Sequence, residues 1–383
     1  MKNRFFSVVL VLFLFTGTTL SQEENRVSLG GYVTTMQSSM FEKLSGSFMN
    51  ENLFHNRLNL KAYLSNSITF TGELRNRLFT GDFVRMGSYY SDIIGYDRGF
   101  ADMSWNIINE NSFLFNSTLD RLNIDFNFGK FQITAGRQRI NWGQTFVWNP
   151  NDIFNAYSFF DFDYVERPGS DAVRLQYFIS SSSAAEVAIK VDNNHDITAA
   201  GLYRFSLWGY DIQFLAGLVN SQDIVIGTGW SGAIGGLSFR GEVSWFDPYE
   251  DFPGDESTVL ATAGFEKLFK KNSMAQVQIM YCNNPLVLND FNSFYSGNLS
   301  SRDLAFSVLS AFGQFTWAAT PLMSLTASAM WLPDLDGWFA GPSFDYSLTE
   351  NLDFSLIWQH FDALMGGEKS KINLAFLRLK YSF

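Results

Sequence analysis

Polar and apolar residues alternate along most of this chain with a period of two, in runs too short for helices. The last run is the clearest. In LAFLRLKYSF, Ala375, Leu377, Leu379, Tyr381 and Phe383 share one parity, and Arg378, Lys380 and Ser382 share the other. That period puts each set on one face of a β-strand. About 18 such runs can be drawn, at 27–36, 55–64, 68–79, 118–128, 131–140, 172–180, 184–191, 197–205, 210–219, 224–233, 237–246, 258–268, 273–281, 304–317, 322–331, 337–346, 352–361 and 371–383. The count falls to 16 if the glycine-rich stretch 227–236 is one bent element.

The connections alternate as well. Those leaving odd-numbered runs are long or variable, at about 37–54, 80–117, 141–171, 247–257 and 282–303. Nearly all those leaving even-numbered runs are tight turns, such as Ser65-Asn66-Ser67, Gly129-Lys130 and Gly235-Gly236. An even strand count with short turns at one end and long loops at the other is the pattern of an outer-membrane barrel. The expected fold is therefore all-β, a transmembrane antiparallel up-and-down barrel of 16–18 strands, formed as one domain from residues 22–383.

Composition sharpens this picture. Aromatic residues make up 17% of the chain and charged residues only 17%, against about 25% charged in a soluble domain. After residue 22 no window approaches the roughly 18 consecutive apolar residues of a transmembrane helix. An aromatic-rich chain of low charge without such a helix fits strands that hide their apolar face from a hydropathy scan. At the start, Lys2 and Arg4 precede an apolar run at 5–15 and a small, polar stretch ending at Ser21, the pattern of a signal peptide cleaved after residue 21. Removing Lys2 and Arg4 takes the formal charge from −11 to −13, which argues against nucleic acid as a partner. The single cysteine, Cys282, leaves no internal disulfide, and no cofactor or metal is expected.

Strand parity then assigns faces. With Leu58, Leu60, Ala62 and Leu64 toward lipid, Arg57 and Lys61 face the lumen, as do Glu73, Arg75 and Arg77 on the next run. The same rule turns Arg121, Asp125, Arg174, Glu186, Arg240 and Glu242 inward. A charge facing lipid near the midplane costs ~2–4 kcal/mol, which favours this assignment. Two readings of the arginines stay open. A water-filled lumen rich in Arg and Lys favours anions, whereas pairing with Glu73, Asp125, Glu186 and Glu242 across strands would only stiffen the wall.

The stretch 131–171 is the chemically densest. Its parity sends Arg137 and Arg139 outward with Phe131, so each must sit at the rim or be turned inward by a bulge near Gly136. Trp142, Trp148, Asn149, Asn151 and Asp152 follow in a long loop. Such residues suit stacking on sugars or packing of the loop against the wall, and the stretch is read not as an active site but as an extracellular loop, a mouth loop that folds in and constricts the pore. His55, His195 and His360 carry no Ser–His or metal-ligand spacing, so no enzyme is expected, and His360 is read as pairing with Asp362 at the rim. The acidic loop with Asp247, Glu250, Asp251, Asp255 and Glu256 reads as a solvated extracellular loop.

Asp120-Arg121, GRQRINWG at 136–143, WNPND at 148–152 and PGSDAVRLQY at 168–177 resemble Gram-negative outer-membrane porin-like barrels, including the alginate-export type. The resemblance implies a channel for polar or anionic molecules, in some members for uronate polysaccharide. It also implies a terminal strand, ending here at Phe383, that barrel-insertion machinery reads. The expected partners are outer-membrane lipid, lipopolysaccharide and a small polar or anionic solute. A loop-sealed structural barrel is the alternative.

Overall fold

The computed structural model describes residues 26–157, 159–160, 166–254, 256–287 and 300–383. The expected signal peptide, Asp255 and most of the 282–303 connection lie outside them.

The chain opens with β1 (Val27–Phe41), β2 (Phe48–Ser65) and β3 (Ile68–Gly81), followed by a short helix α1 (Ser88–Gly95) and β4 (Ser104–Glu110). Then come β5 (Phe113–Phe128), β6 (Phe131–Gln138), β7 (Ser170–Ser180), β8 (Ser183–Val191), β9 (Ile197–Leu207) and β10 (Tyr210–Val219). The meander continues through β11 (Asp223–Ile234), β12 (Leu237–Pro248), β13 (Thr258–Leu268), β14 (Met274–Cys282) and β15 (Leu309–Thr320). It ends with β16 (Met323–Leu332), β17 (Gly337–Ala340), β18 (Ser343–Thr349), β19 (Leu352–Met365) and β20 (Glu368–Ser382).

These twenty strands make eighteen staves. Strands β17 and β18 are one stave interrupted at Gly341-Pro342, since both pair with β16 and β19. Strand β4 is an outlying hairpin arm on β5. Every neighbouring pair is antiparallel, and β20 closes on β1 in continuous register from Tyr32 opposite Ser382 to Phe41 opposite Asn373. Each of the eighteen expected runs falls on one stave. The glycine-rich stretch ends β11 and turns at Gly235 and Gly236, both at positive φ, into the separate strand β12.

Alternation of faces holds around the wall. On β8, Val187 and Ile189 are half exposed, whereas Glu186 and Ala188 are buried between and beside them. Phe214, Ile226, Val277, Ile279, Leu356 and Leu377 continue the exposed apolar set. A continuous apolar exterior of this extent is a surface for lipid. No helix among the described residues is long and apolar enough to cross a membrane.

Three expected boundaries move, and one expected pair does not form. The loop at 37–54 is mostly strand, because β1 and β2 stay paired up to Phe41 opposite Phe48. The insertion at 80–117 contains α1, β4 and the start of β5, with Asn106 and Asn109 bonding Ser91 of the helix. Strand β15 starts only at Leu309, and Leu304, Ala305 and Phe306 are buried ahead of it as non-strand chain. His360 bonds Asn373 at 2.8 Å, while Asp362 takes Lys371 at 3.1 Å, so the expected His360–Asp362 pair does not form.

One irregularity shapes the inner wall. Glu73 pairs with Arg121 and Leu74 with Leu119, which leaves Asp120 as an extra residue on β5. This β-bulge turns two successive side chains, Asp120 and Arg121, into buried surroundings. At Gly136 the register of β6 does not shift, but φ is +111°. A Cβ there would lie 2.3 Å from the Leu122 carbonyl oxygen. Gly136→Ala is therefore expected to cost about 1–3 kcal/mol. It should lower the temperature at which the folded, fast-migrating form disappears in a heat-modifiability gel. An unchanged transition would show that the strand relaxes freely at this point.

A loop pinned across the lumen as the candidate functional site

Strand β6 stops at Gln138, and the chain leaves the wall until Ser170. Asn155 clips the two stems of this excursion together. Its Oδ1 accepts from the Ile140 N–H at 2.9 Å, and its Nδ2 donates to the Pro168 carbonyl and Ser170 Oγ, both at 3.0 Å.

From there the loop crosses the barrel interior and bonds to the opposite wall. Glu242 on β12 is fully buried and accepts from the backbone N–H groups of Gln144, Thr145 (2.8 Å) and Asn151 (2.8 Å), and from Thr145 Oγ1 (3.0 Å). Gln278 on β14 accepts from the Val147 N–H at 2.8 Å and donates to the Trp148 carbonyl at 3.1 Å. Gln213 on β10 donates to the Trp142 carbonyl at 2.6 Å. Asn151 donates to the Thr228 carbonyl at 3.0 Å and accepts from Ser244 at 2.7 Å. It fits because Gly227 and Gly229 present no side chain, and a Cβ on Gly227 would lie 2.6 Å from Asn151 Oδ1. Farther on, the Phe160 ring packs 5.0 Å from Phe339 and 5.2 Å from Phe361, against an apolar inner wall that includes Phe312 and Met330.

This settles where the loop residues sit. Trp142, Trp148, Asn149 and Asp152 are all buried. The Trp142 indole donates to Glu186 at 2.5 Å. These side chains are used up in holding the loop, which excludes them as sugar-stacking platforms. The stretch is a strut inside the barrel rather than a surface loop.

The arginines fall into distinct groups. Arg57 is fully buried and pairs with Asp120 and Glu73, and Arg75 approaches Asp120 at 3.3 Å. Arg77 donates to Asn116 at 2.7 Å and to the Ile94 carbonyl at 2.9 Å. Arg121 donates to the carbonyls of Glu166 (2.7 Å) and Arg167 (2.9 Å), tying the returning stem of the loop to this wall. Arg174 makes a bidentate pair with Glu186 at 2.6 and 2.7 Å. Cross-strand pairing thus accounts for Glu73 and Glu186. It does not account for Asp125, which accepts from Thr134 at 2.5 Å, or for Glu242, which serves the loop backbone. Lys61 lies exposed, 5.4 Å from the Tyr63 ring centre.

Arg137 takes neither of the two expected positions. It keeps the register of Leu122 and Asp171, and the segment before β4 folds over it. Its guanidinium bonds Asp97 (2.6 Å), Asp171 (2.7 and 2.9 Å) and the Ala101 carbonyl (2.6 Å), so a rim residue becomes a buried clasp. Arg139 turns into the loop, 3.3 Å from Asp152, with its guanidinium 5.5 Å from the Tyr157 ring centre. Parity could not show either arrangement, because Asp97 lies forty residues away. The parts played by Glu166, Asp120, Gln213 and Gln278 were equally hidden in the sequence, where only the Asp120-Arg121 dipeptide carried any signal.

Open space remains on both sides of the strut. Toward the long connections, a cavity of 480 Å³ is lined by Arg75, Arg77, Arg98, Lys190 and Asp120. Toward the short turns, one of 550 Å³ lies under residues 141–144. A third, of 760 Å³, is lined by Lys271, Asp345, Asp353, Arg378 and Lys380.

The architecture has solved counterparts. The chain superposes on Pseudomonas aeruginosa OccK5 (OpdH) with a TM-score of 0.61 and 10% identity, covering 93% of this chain and 98% of that one. For Pseudomonas aeruginosa OccK11 (OpdR) the values are 0.60 and 8%, over 93% and 96%. For Acinetobacter baumannii OccAB1 they are 0.57 and 9%, over 96% and 100%. At such identities the likeness is one of fold. No family model and no curated relative matches the sequence.

Burial pushes the Asp152 carboxyl up to about 7; Arg139 opposes the shift and Glu242 reinforces it. The folded protein therefore holds a proton here between about pH 4 and 7 that the unfolded chain has released, so this group's contribution to stability falls as pH rises through that window. The melting temperature is expected to decline over that range by an amount that Asp152→Asn removes. An identical slope in the variant would assign the dependence to other groups.

Proposed function

We propose that this protein is a porin-like channel of a Gram-negative outer membrane that passes small polar solutes, with anionic ones favoured. The observation that carries the reading is the strut. It occupies part of the lumen and leaves chambers of 480 and 550 Å³ on its two sides, with arginine in both linings. Chambers of that size suit a single small solute, and this weighs against passage of a polysaccharide chain. A barrel of eighteen staves is too wide to fill with wall side chains alone, so loops inside it set its bore. The fold shared with OccK5 (OpdH), OccK11 (OpdR) and OccAB1 is compatible with the same reading.

The anion preference is assigned to chamber-lining arginines, of which Arg77 and Arg75 border the upper chamber, Arg75 beside Asp120. Arg57, Arg137 and Arg174 have carboxylates bound tightly to them, and their charge is largely cancelled. Arg77 donates to Asn116 and to the Ile94 carbonyl and lines the upper chamber beside Arg75.

In planar bilayers the purified protein is expected to give discrete conductance steps, and a salt gradient should give a reversal potential on the anion side. Arg75→Ala with Arg77→Ala should move that potential toward zero. Absence of steps at every voltage would favour the loop-sealed structural barrel. A deletion variant lacking residues 146–162 should conduct more than the intact protein. Equal conductance would mean that the strut does not limit the bore.

A further inference from the structure

The chamber under the strut differs from the rest of the lumen in how its charge is balanced. Its lining includes Arg174, Arg204 and Arg240, with Gln213 and the serines of the β7–β8 turn. Arg174 is cancelled by Glu186. The other acid in the lining, Asp211, accepts the Ser206 hydroxyl. Arg240 reaches only Ser238 Oγ and the Gln144 carbonyl, both at 3.4 Å, and lies 4.8 Å from the Phe146 ring centre. Among the described residues neither Arg204 nor Arg240 pairs with a carboxylate. Two guanidiniums thus face the same chamber against one carboxylate already engaged by a hydroxyl.

We propose that this chamber is a binding site for a small oxyanion, held between Arg204 on β9 and Arg240 on β12. A planar guanidinium offers paired N–H donors that match two oxygens of a phosphate or carboxylate group. The strut forms the roof through Gln144, and the short turns leave the site open toward the end that is periplasmic in outer-membrane barrels. In the upper chamber the nearby acids Asp97, Asp120 and Asp171 offset Arg57, Arg75 and Arg137. Beyond the strut, Arg204 and Arg240 are the chamber-lining guanidiniums that no carboxylate engages among the described residues. An anionic solute that has passed the strut meets these two groups next, and a free anion from the periplasmic side meets them first. The proposal uses the channel reading only to say which end faces the periplasm; binding does not require conduction.

The test is calorimetric titration of inorganic phosphate into the full-length protein in detergent at low ionic strength. Glycerol serves as the neutral probe, and glycerol 3-phosphate carries the same group on a solute. Saturable binding of phosphate but not of glycerol is expected. Arg204→Gln and Arg240→Gln should each weaken it by about tenfold or more, the loss expected for a charge-assisted contact. Lys271→Gln, which lines a different chamber, should leave it unchanged. Tighter binding of glycerol 3-phosphate would assign the site to a solute's head group, and tighter binding of inorganic phosphate would assign it to the free anion. Arg240 also touches the strut, so Arg240→Lys provides a second reading: retained folding with partial recovery of affinity supports the site. Unchanged affinity in the Arg204→Gln, Arg240→Gln double variant would overturn the proposal. So would a Lys271→Gln loss as large as theirs, or no saturable binding to the wild type. Conductance measured on the same preparation reads the channel function separately.

Discussion

Everything in this structure follows from the requirement that a backbone surrounded by apolar material must satisfy its own polar groups. Each unpaired N–H or C=O in the hydrocarbon costs several kcal/mol, by order of magnitude, and a sheet escapes that cost only by meeting its own first strand. Here β20 meets β1 over ten residue pairs, from Tyr32–Ser382 to Phe41–Asn373. Closure fixes the number of staves, and the number of staves fixes a circumference too large for wall side chains to fill. The interior is thereby handed over to loops and water.

The strut solves that second problem by means suited to a buried place. A chain segment inside a barrel brings backbone N–H and C=O groups that no ladder satisfies, and the wall provides for them with Glu242, Gln278 and Gln213. Glu242 is a fully buried carboxyl whose oxygens accept from three main-chain N–H groups and a hydroxyl, so none of its acceptor capacity is wasted inside the barrel. On the far side the Phe160 cluster seals the strut against an apolar wall, and Arg121 holds its returning stem. The lumen is thus asymmetric, with a packed aromatic side and a charged side.

What was legible in the sequence was whatever a period of two can express. Residues such as Val187, Ile189 and Glu186 declare their faces, and the turn residues Gly129, Gly235 and Gly236 declare the ends of strands. All eighteen staves were visible in this way. Period two cannot express an extra residue, so the bulge that brings Asp120 beside Arg121 was invisible, and with it the acid that neutralises Arg57. Nor can it express contacts between distant segments. Arg137 reads as an outward residue because parity knows its strand but not Asp97. For the tryptophans of the strut, sugar stacking and packing against the wall both stood open in the sequence, since their type is visible there and the wall that buries them is not.

The wall grips the strut at Gln144, Thr145 and Val147 through their main-chain N–H groups. A grip on backbone is indifferent to the side chains carried there, Thr145 excepted, whose hydroxyl joins the bonds to Glu242. Those that project into the chambers can be exchanged without releasing the segment, so long as Trp142, Asn151 and Asn155 keep their places. The barrel therefore separates the part of its interior that must be kept from the part that can change. A lineage adapting to a new solute, or an experimenter seeking one, has a rigid shelf on which to vary the contents of the pore.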